Sequence, residues 1–296
     1  MTKTTKTTVT TSAARKIRAN AIRITPSPKA ASPQIDLPTQ LTEQFRELRL
    51  PTIRDHFQEA ATRAATENLS HLEYLSELTT VECETRRFGR IRRLLIRSKL
   101  PLGKTWDNFK FDRLPLNVTR QLETLRDGSF LNRRENILIF GRPGSGKSHV
   151  LCALAEQLVQ QGHSIMFTTC ALLVQQLLIA KRDLRLSKLI NQLSKFEGLI
   201  IDDLGYVQQS RDEMEVLFTL LAERYERGSV LLTSNLAFSK WDQIFKDAMT
   251  TVAAIDRLVH HSVIIELNVP SFRVETAHKS KSTGQPQVTK SKTPAS

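Results

Sequence analysis

Cysteine is scarce in this chain: Cys83, Cys152 and Cys170 are the only three in 296 residues, widely spaced and without a Cys-x-x-Cys pair. An odd, scattered set excludes a disulfide framework and a cysteine-based zinc site, and it predicts plain thiols in a reducing cytoplasm. Long apolar runs are also missing. Nothing approaches the roughly eighteen consecutive apolar residues that span a bilayer, and no secretory apolar segment opens the chain, so no membrane partner is expected. Aromatic residues make up only 6% of the chain, which argues against base stacking as a way of holding single strands. The seven histidines form no HExxH or Ser-His-Asp arrangement. His260 and His261 are adjacent rather than four apart, so they do not resemble a helical metal pair. Acidic residues are absent from 1–35 and again from RRFGRIRRLLIRSK, residues 86–99.

What is present is positive charge. A net charge of +13 and a pI near 9.9 favour contact with nucleic acid or another polyanion. Apolar and charged fractions of 40% and 25% are those of an ordinary globular protein, and the length allows one or two domains. Residues 1–38 read as a basic disordered arm and 276–296 as a polar disordered tail. Between them, 39–100 carries helical periodicity: Leu41, Phe45 and Leu48, a break at Pro51, a second helix over Thr52–Thr66, then a Ser70/Glu73 capping box ahead of Leu72, Leu75 and Leu78. This is expected to be a small all-helical domain, with a kink at Gly89 possible in its last helix. Residues 101–134 read as a connector. From 135 to 275 the short apolar runs ILIF, SIMFTT, GLIID, SVLLT and SVIIEL alternate with helical patterns. That alternation predicts an α/β fold, a parallel sheet flanked by helices.

One loop in that region carries chemistry. Gly141, Arg142, Pro143, Gly144, Ser145, Gly146, Lys147 and Ser148 fit G-x-x-x-x-G-K-[ST], placed between a strand and a helix. Glycines let backbone N–H groups turn inward around phosphates, the helix N-terminus favours negative charge, Lys147 reaches the terminal phosphates, and Ser148 offers an oxygen to Mg²⁺. ATP with Mg²⁺ is therefore the expected cofactor. GLIIDDLGY supplies a second half: Asp202 to hold the metal and Asp203 to polarise a water, the latter shorter than the Glu often found there. Asn235 closes the run TSN after the next strand. It would lie between the other two motifs if that strand pairs with both. Arg257, on an expected helix, and Arg273, just after the last strand, each read as a surface arginine taken alone; in a multimeric ATPase an arginine so placed would reach a neighbouring subunit's γ-phosphate.

The co-linear set LTEQFRELRLPTIRDHF, YLSELTTVECETRR, the phosphate loop, IIDDLGYV, RYERGSVLLTSN, Trp241 and IDRLVHHSVIIEL with SFR resembles the IstB-like transposition helper ATPases over residues 39–275. The resemblance implies an AAA+ ATPase related to DnaC-type helicase loaders. It further implies a homo-oligomer that assembles on duplex DNA with ATP and serves an integrase-type transposase; in the loader alternative the partner is a replicative helicase. By position it makes Asn235 a sensor 1 residue, Arg257 an arginine finger and Arg273 a sensor 2 arginine, and only a short tail follows where other AAA+ proteins have a lid. Two basic elements are DNA-contact candidates. On a helix Arg86, Arg90, Arg93 and Arg97 form one stripe, with Phe88, Ile91 and Leu95 on the opposite side for packing. Lys181, Arg182, Arg185 and Lys188 form the second, in the place where initiator-type AAA+ proteins insert a helical feature facing DNA. Both would make sequence-independent backbone contacts.

Overall fold

The computed structural model describes residues 36–205, 210–236, 240–241 and 255–272. The chain divides into two compact units, Met1–Leu78 and Thr79–Ser296.

The first unit is helical. α1 (Leu37–Glu47) and α2 (Pro51–Glu67) each start on or next to a proline, where the absent N–H leaves no bond unmade. α2 stops at Asn68, which takes the left-handed conformation at φ 54°. The capping box forms as expected: Ser70 N–H donates to Glu73 Oε2 at 2.8 Å, and Glu73 N–H donates to Ser70 Oγ at 3.3 Å. It opens α3 (His71–Ser98). Ile53, Phe57 and Ala60, spaced i, i+4, i+7, are buried with Leu78, and Leu41, Phe45 and Tyr74 pack around them. Leu48, Leu72 and Leu75 were expected in this core and are exposed. Leu48 is the C-cap residue beyond the last turn of α1. Of the three leucines at the start of α3, only Leu78 turns inward far enough to be buried.

In the second unit the five expected strands all form: β1 (Asn136–Gly141), β2 (Ile165–Thr169), β3 (Gly198–Leu204), β4 (Ser229–Ser234) and β5 (Ser262–Leu267). Every neighbouring pair is parallel and the order is β2-β3-β4-β1-β5. The central strands are apolar over most of their length because both faces are covered, whereas the edge strand β5 exposes Ile264 and Glu266. On one face Leu138, Phe140, Leu199 and Ile201 meet α7 (Cys170–Arg182), α8 (Leu186–Leu193) and α9 (Arg211–Arg224). On the other, Ile137, Ile139 and Ile200 meet α4 (Leu116–Leu125), α5 (Ser129–Arg133) and α6 (Lys147–Gln160). Arg224 is 2% exposed and ties this layer to the sheet. Its Nη atoms donate to the carbonyls of Leu193, Phe196, Glu197 and Ser229 at 2.9 to 3.2 Å. Burial pulls its guanidinium down to about 10, still charged at neutral pH.

α3 passes Gly89 without a break. Its packing differs from expectation. Leu94 is the position that packs on the core, while Phe88 and Ile96 are about 70% exposed and Leu95 is exposed as well. The arginines flank the contact instead of opposing it: Arg90 Nη2 donates to the Gly162 carbonyl at 3.2 Å, and Arg97 lies over the Phe196 ring. Long stems with charged ends cover apolar surface at little desolvation cost, which rotates the buried stripe towards them. Among the described residues no helix is long and apolar enough to cross a membrane.

Candidate functional site

Parallel sheets present ligand sites at the C-terminal ends of their strands, and three strands converge there. β1 ends in the loop 141–146, which turns straight into α6. Gly144 and Gly146 sit at φ 80° and 98°, and a Cβ on Gly144 would meet Ser271 Oγ at 2.1 Å. Only glycine is compatible with both the conformation and that approach. Lys147 is buried and donates to the carbonyls of Gly141 and Arg142 at 2.8 and 3.0 Å. Arg142 and Pro143 are exposed at the loop tip, and Ser148 is half-buried in the first turn of α6. Ser145 Oγ is buried and has no hydrogen-bond partner.

β3 brings the acid pair to the same edge. Asp202 is buried and Asp203 exposed. Between Ile201 and Leu204 the register against β4 slips, because three steps on β3 face two on β4. Asp203 accommodates the extra residue at φ 61°, a conformation Asp tolerates better than most. The neighbouring strand fills the gap. Thr233, fully buried, donates to Asp202 Oδ1 at 2.6 Å and accepts from Asp203 N–H at 2.9 Å. One hydroxyl therefore holds both acids. In the run TSN the sequence draws attention to Asn235 rather than Thr233; a hydroxyl at a strand end, one strand from an acid pair, is the signal for Thr233. Burial pushes the Cys152 thiol on α6 up to about 12, against a smaller lowering by Lys104 and with a still smaller rise from the Asp202 carboxylate.

β4 lies between β3 and β1, the arrangement on which the Asn235 reading depended. Asn235 follows β4 directly, and its Oδ1 is buried without a partner. Two orphaned polar atoms, Ser145 Oγ and Asn235 Oδ1, beside a buried ammonium and a glycine loop fit a phosphate-bearing ligand with its cation. Next to the loop, Asn108, Phe109, Lys110, Arg113, His149 and Phe272 line a shallow pocket open to solvent. Phe272 lies beneath Lys110 and Arg113, and its N–H donates to the Gly144 carbonyl at 3.0 Å. The connector thus forms a wall of the site. Its density of aromatics, Trp106, Phe109 and Phe111 in a chain otherwise poor in them, was the overlooked sign.

The remaining candidates lie elsewhere. Arg257 is in the helical segment 255–259, over the Phe218 ring, with Nη1 buried and unpartnered. That segment touches the start of β1, since Asn136 Nδ2 donates to the Leu258 carbonyl at 3.0 Å. The loop follows the other end of β1, about 17 Å away for a strand of this length. Arg273 lies outside the described residues. Of the basic stripe, Arg86 is ion-paired with Glu82, Arg90 and Arg97 are engaged as described, and Arg93 is exposed. The second element is divided between two helices, α7 and α8, parted at Leu184 (φ 55°). Lys181 pairs with Glu215 and Arg182 with Asp183, while Arg185 and Lys188 are exposed.

A glycine loop running into a helix, an acid pair on the next strand but one, and a β2-β3-β4-β1-β5 parallel sheet define a P-loop nucleotide-binding protein. More narrowly, the chain belongs to the family of IstB-like ATP binding proteins, whose profile matches residues 43–282. It is 41% identical to an insertion-sequence ATP-binding protein of Sinorhizobium fredii over 80% of each chain. It is 35% identical to the IS5376 ATP-binding protein of Geobacillus stearothermophilus over 79% of this chain and 94% of that one. The IS21 ATP-binding protein of Pseudomonas aeruginosa is 32% identical over 78% and 88%. Among solved structures, DnaI aligns with a TM-score of 0.49 at 17% identity over 57% of this chain and 94% of that one. AMPPCP-bound DnaA of Aquifex aeolicus aligns with a TM-score of 0.47 at 17% identity over 63% and 56%.

Proposed function

We propose that this protein is an ATP-hydrolysing helper of DNA transposition, which multimerises on duplex DNA and delivers that DNA to a transposase encoded by the same element. The observation that carries the ATPase half is the meeting of Lys147, Asp202, Asp203 and Asn235 at one sheet edge, with Thr233 holding the two acids together. The relatives, all named as insertion-sequence ATP-binding proteins, support the transposition half.

Bound ATP supplies a phosphoanhydride whose cleavage is favourable and slow until charge and water are positioned. In this reading the loop amides and Lys147 would hold its phosphates, and Ser148 and Asp202 would hold Mg²⁺. Asp203 takes a proton from water, and Asn235 orients the reacting groups. Arg273, by the family resemblance, would act as a sensor 2 arginine. Arg257, at the far end of the sheet from its own loop, serves the nucleotide of a neighbouring copy. ATP would thus be completed only between subunits, so binding orders the multimer and hydrolysis resets it. DNA contact falls to exposed cations, Arg93, Arg185 and Lys188 first, with Arg86, Arg90, Arg97, Lys181 and Arg182 partly committed to the protein itself.

The test is ATP-dependent assembly on linear duplex DNA, followed by sedimentation. Lys147→Ala is expected to abolish it, and Asp203→Asn to preserve assembly while stalling phosphate release. Nucleotide-dependent assembly by Lys147→Ala at the wild-type level would overturn the proposal.

A further inference from the structure

At the N-terminal end of the sheet, the turn between α9 and β4 meets the turn that precedes β5. There Glu226, His260 and His261 each offer one ligand atom, and the three atoms lie within 4.8 Å of one another. None of them has a part in the nucleotide site. The structure assigns to this cluster a divalent transition-metal site of the zinc class, with three protein ligands and one position open to water.

Adjacent histidines on a helix point apart, which is why the sequence pair carried no signal. Here the segment 255–259 has just ended, and His261 is in the left-handed conformation at φ 59°. That turn folds its ring back to a centroid distance of 3.9 Å from His260. The third group comes from 34 positions upstream, where Glu226 is also left-handed at φ 57°. The backbone beneath all three is fixed independently. Arg134 Nη1 donates to the Glu226 carbonyl at 3.0 Å. His260 N–H donates to the Asp256 carbonyl at 2.8 Å, and the His261 carbonyl accepts from Asn136 N–H at 2.9 Å. Only exposed side-chain torsions remain free to close the site.

The closure needed is small. Zinc bonds of about 2.1 Å in a tetrahedral arrangement place ligand atoms roughly 3.4 Å apart, so shifts on the order of 1 Å bring the three into range. Two imidazoles and one carboxylate are the donors that borderline ions prefer, whereas Mg²⁺ favours oxygen alone. An outer partner is already present: Tyr225 Oη lies 2.8 Å from His260 Nδ1. A metal-bound imidazole characteristically donates its second N–H to such an oxygen, which fixes the ring.

The experiment uses the full chain, treated with chelator, free of nucleotide and titrated calorimetrically with ZnCl₂, with MgCl₂ in parallel. Wild type is expected to take up one Zn²⁺ per chain with a Kd below about 10 µM and to melt higher with it, as metal sites formed only in the folded state do. Glu226→Gln and His261→Ala are each expected to weaken uptake at least about tenfold; MgCl₂ should not compete. Because His261→Ala could disturb the turn, Glu226→Gln, matched to wild type in metal-free melting, is the deciding variant. Failure of wild type to bind Zn²⁺ in this range would overturn the assignment. So would wild-type affinity in Glu226→Gln, or displacement of Zn²⁺ by equimolar Mg²⁺.

Discussion

Thr233→Val removes one oxygen and leaves the shape of the side chain, which isolates what the hydroxyl does. In the wild type that oxygen donates to a buried carboxylate and accepts from the backbone N–H of Asp203. A hydrogen bond to a charged group contributes about 1.5–3 kcal/mol, and an N–H left without its acceptor costs about 1 kcal/mol. The sum is near 3 kcal/mol. For a cooperative unit of this size that lowers Tm by roughly 6–12 °C. Trp106 and Trp241 are the only tryptophans and are both buried in the second unit, so tryptophan fluorescence during urea or thermal unfolding reports on it alone. Thr233→Ser keeps the oxygen and loses a methyl group, so its cost should be only about 1 kcal/mol. In an Asp202→Asn background the Val substitution should cost clearly less, the mark of a shared interaction. A Thr233→Val protein unfolding within about 0.5 kcal/mol of wild type, smaller than any single hydrogen bond considered, would refute the reasoning.

Arg224→Leu strips the donor from four carbonyls in a buried corner. A loss of about 4 kcal/mol is expected, read by the same fluorescence transition, and Arg224→Lys should recover little of it because an ammonium cannot span the fork. Thiol titration at pH 8 should find one fast group per folded chain, Cys83, since Cys152 and Cys170 are buried; a second fast thiol would contradict that burial. Because burial raises the Cys152 thiol to about 12 in the folded chain, its contribution to stability is complete below the ordinary thiol range. It is lost as pH climbs from about 9 towards 12, so unfolding midpoints measured across that interval should fall for wild type and fall less for Cys152→Ala. Finally, an equal mixture of Lys147→Ala and Arg257→Ala should regain part of the ATPase activity that each lacks alone, as active sites built from two subunits do. No recovery in mixed assemblies shown to form would place Arg257 outside the catalytic arrangement.

The strands were legible because burial on both faces leaves continuous apolar runs, and each run from ILIF to SVIIEL became a strand with little change of boundary. The phosphate loop was legible because its chemistry fixes residue types at fixed spacing. Phase on the helices was harder to read. Leu72, Leu75 and Phe88 carry apolar side chains at helical spacing yet are exposed, and periodicity alone cannot choose among rival stripes on one helix. Contacts across sequence were invisible altogether. Nothing near Thr233 announces that it spans two acids thirty positions away, and nothing in His260–His261 points to Glu226. Nor does the connector reveal that Phe109 forms a wall beside the phosphate loop.

The slip between β3 and β4 has a consequence for how this sheet tolerates change. Deleting Asp203 would bring the two strands back into even step and remove a left-handed residue, so the backbone would become more regular. The same deletion would take away the carboxylate at the sheet's edge and leave Thr233 with one partner instead of two. Selection for an easily folded sheet and selection for a working edge therefore press in opposite directions on a single position. A screen that rewards only solubility should accumulate losses there.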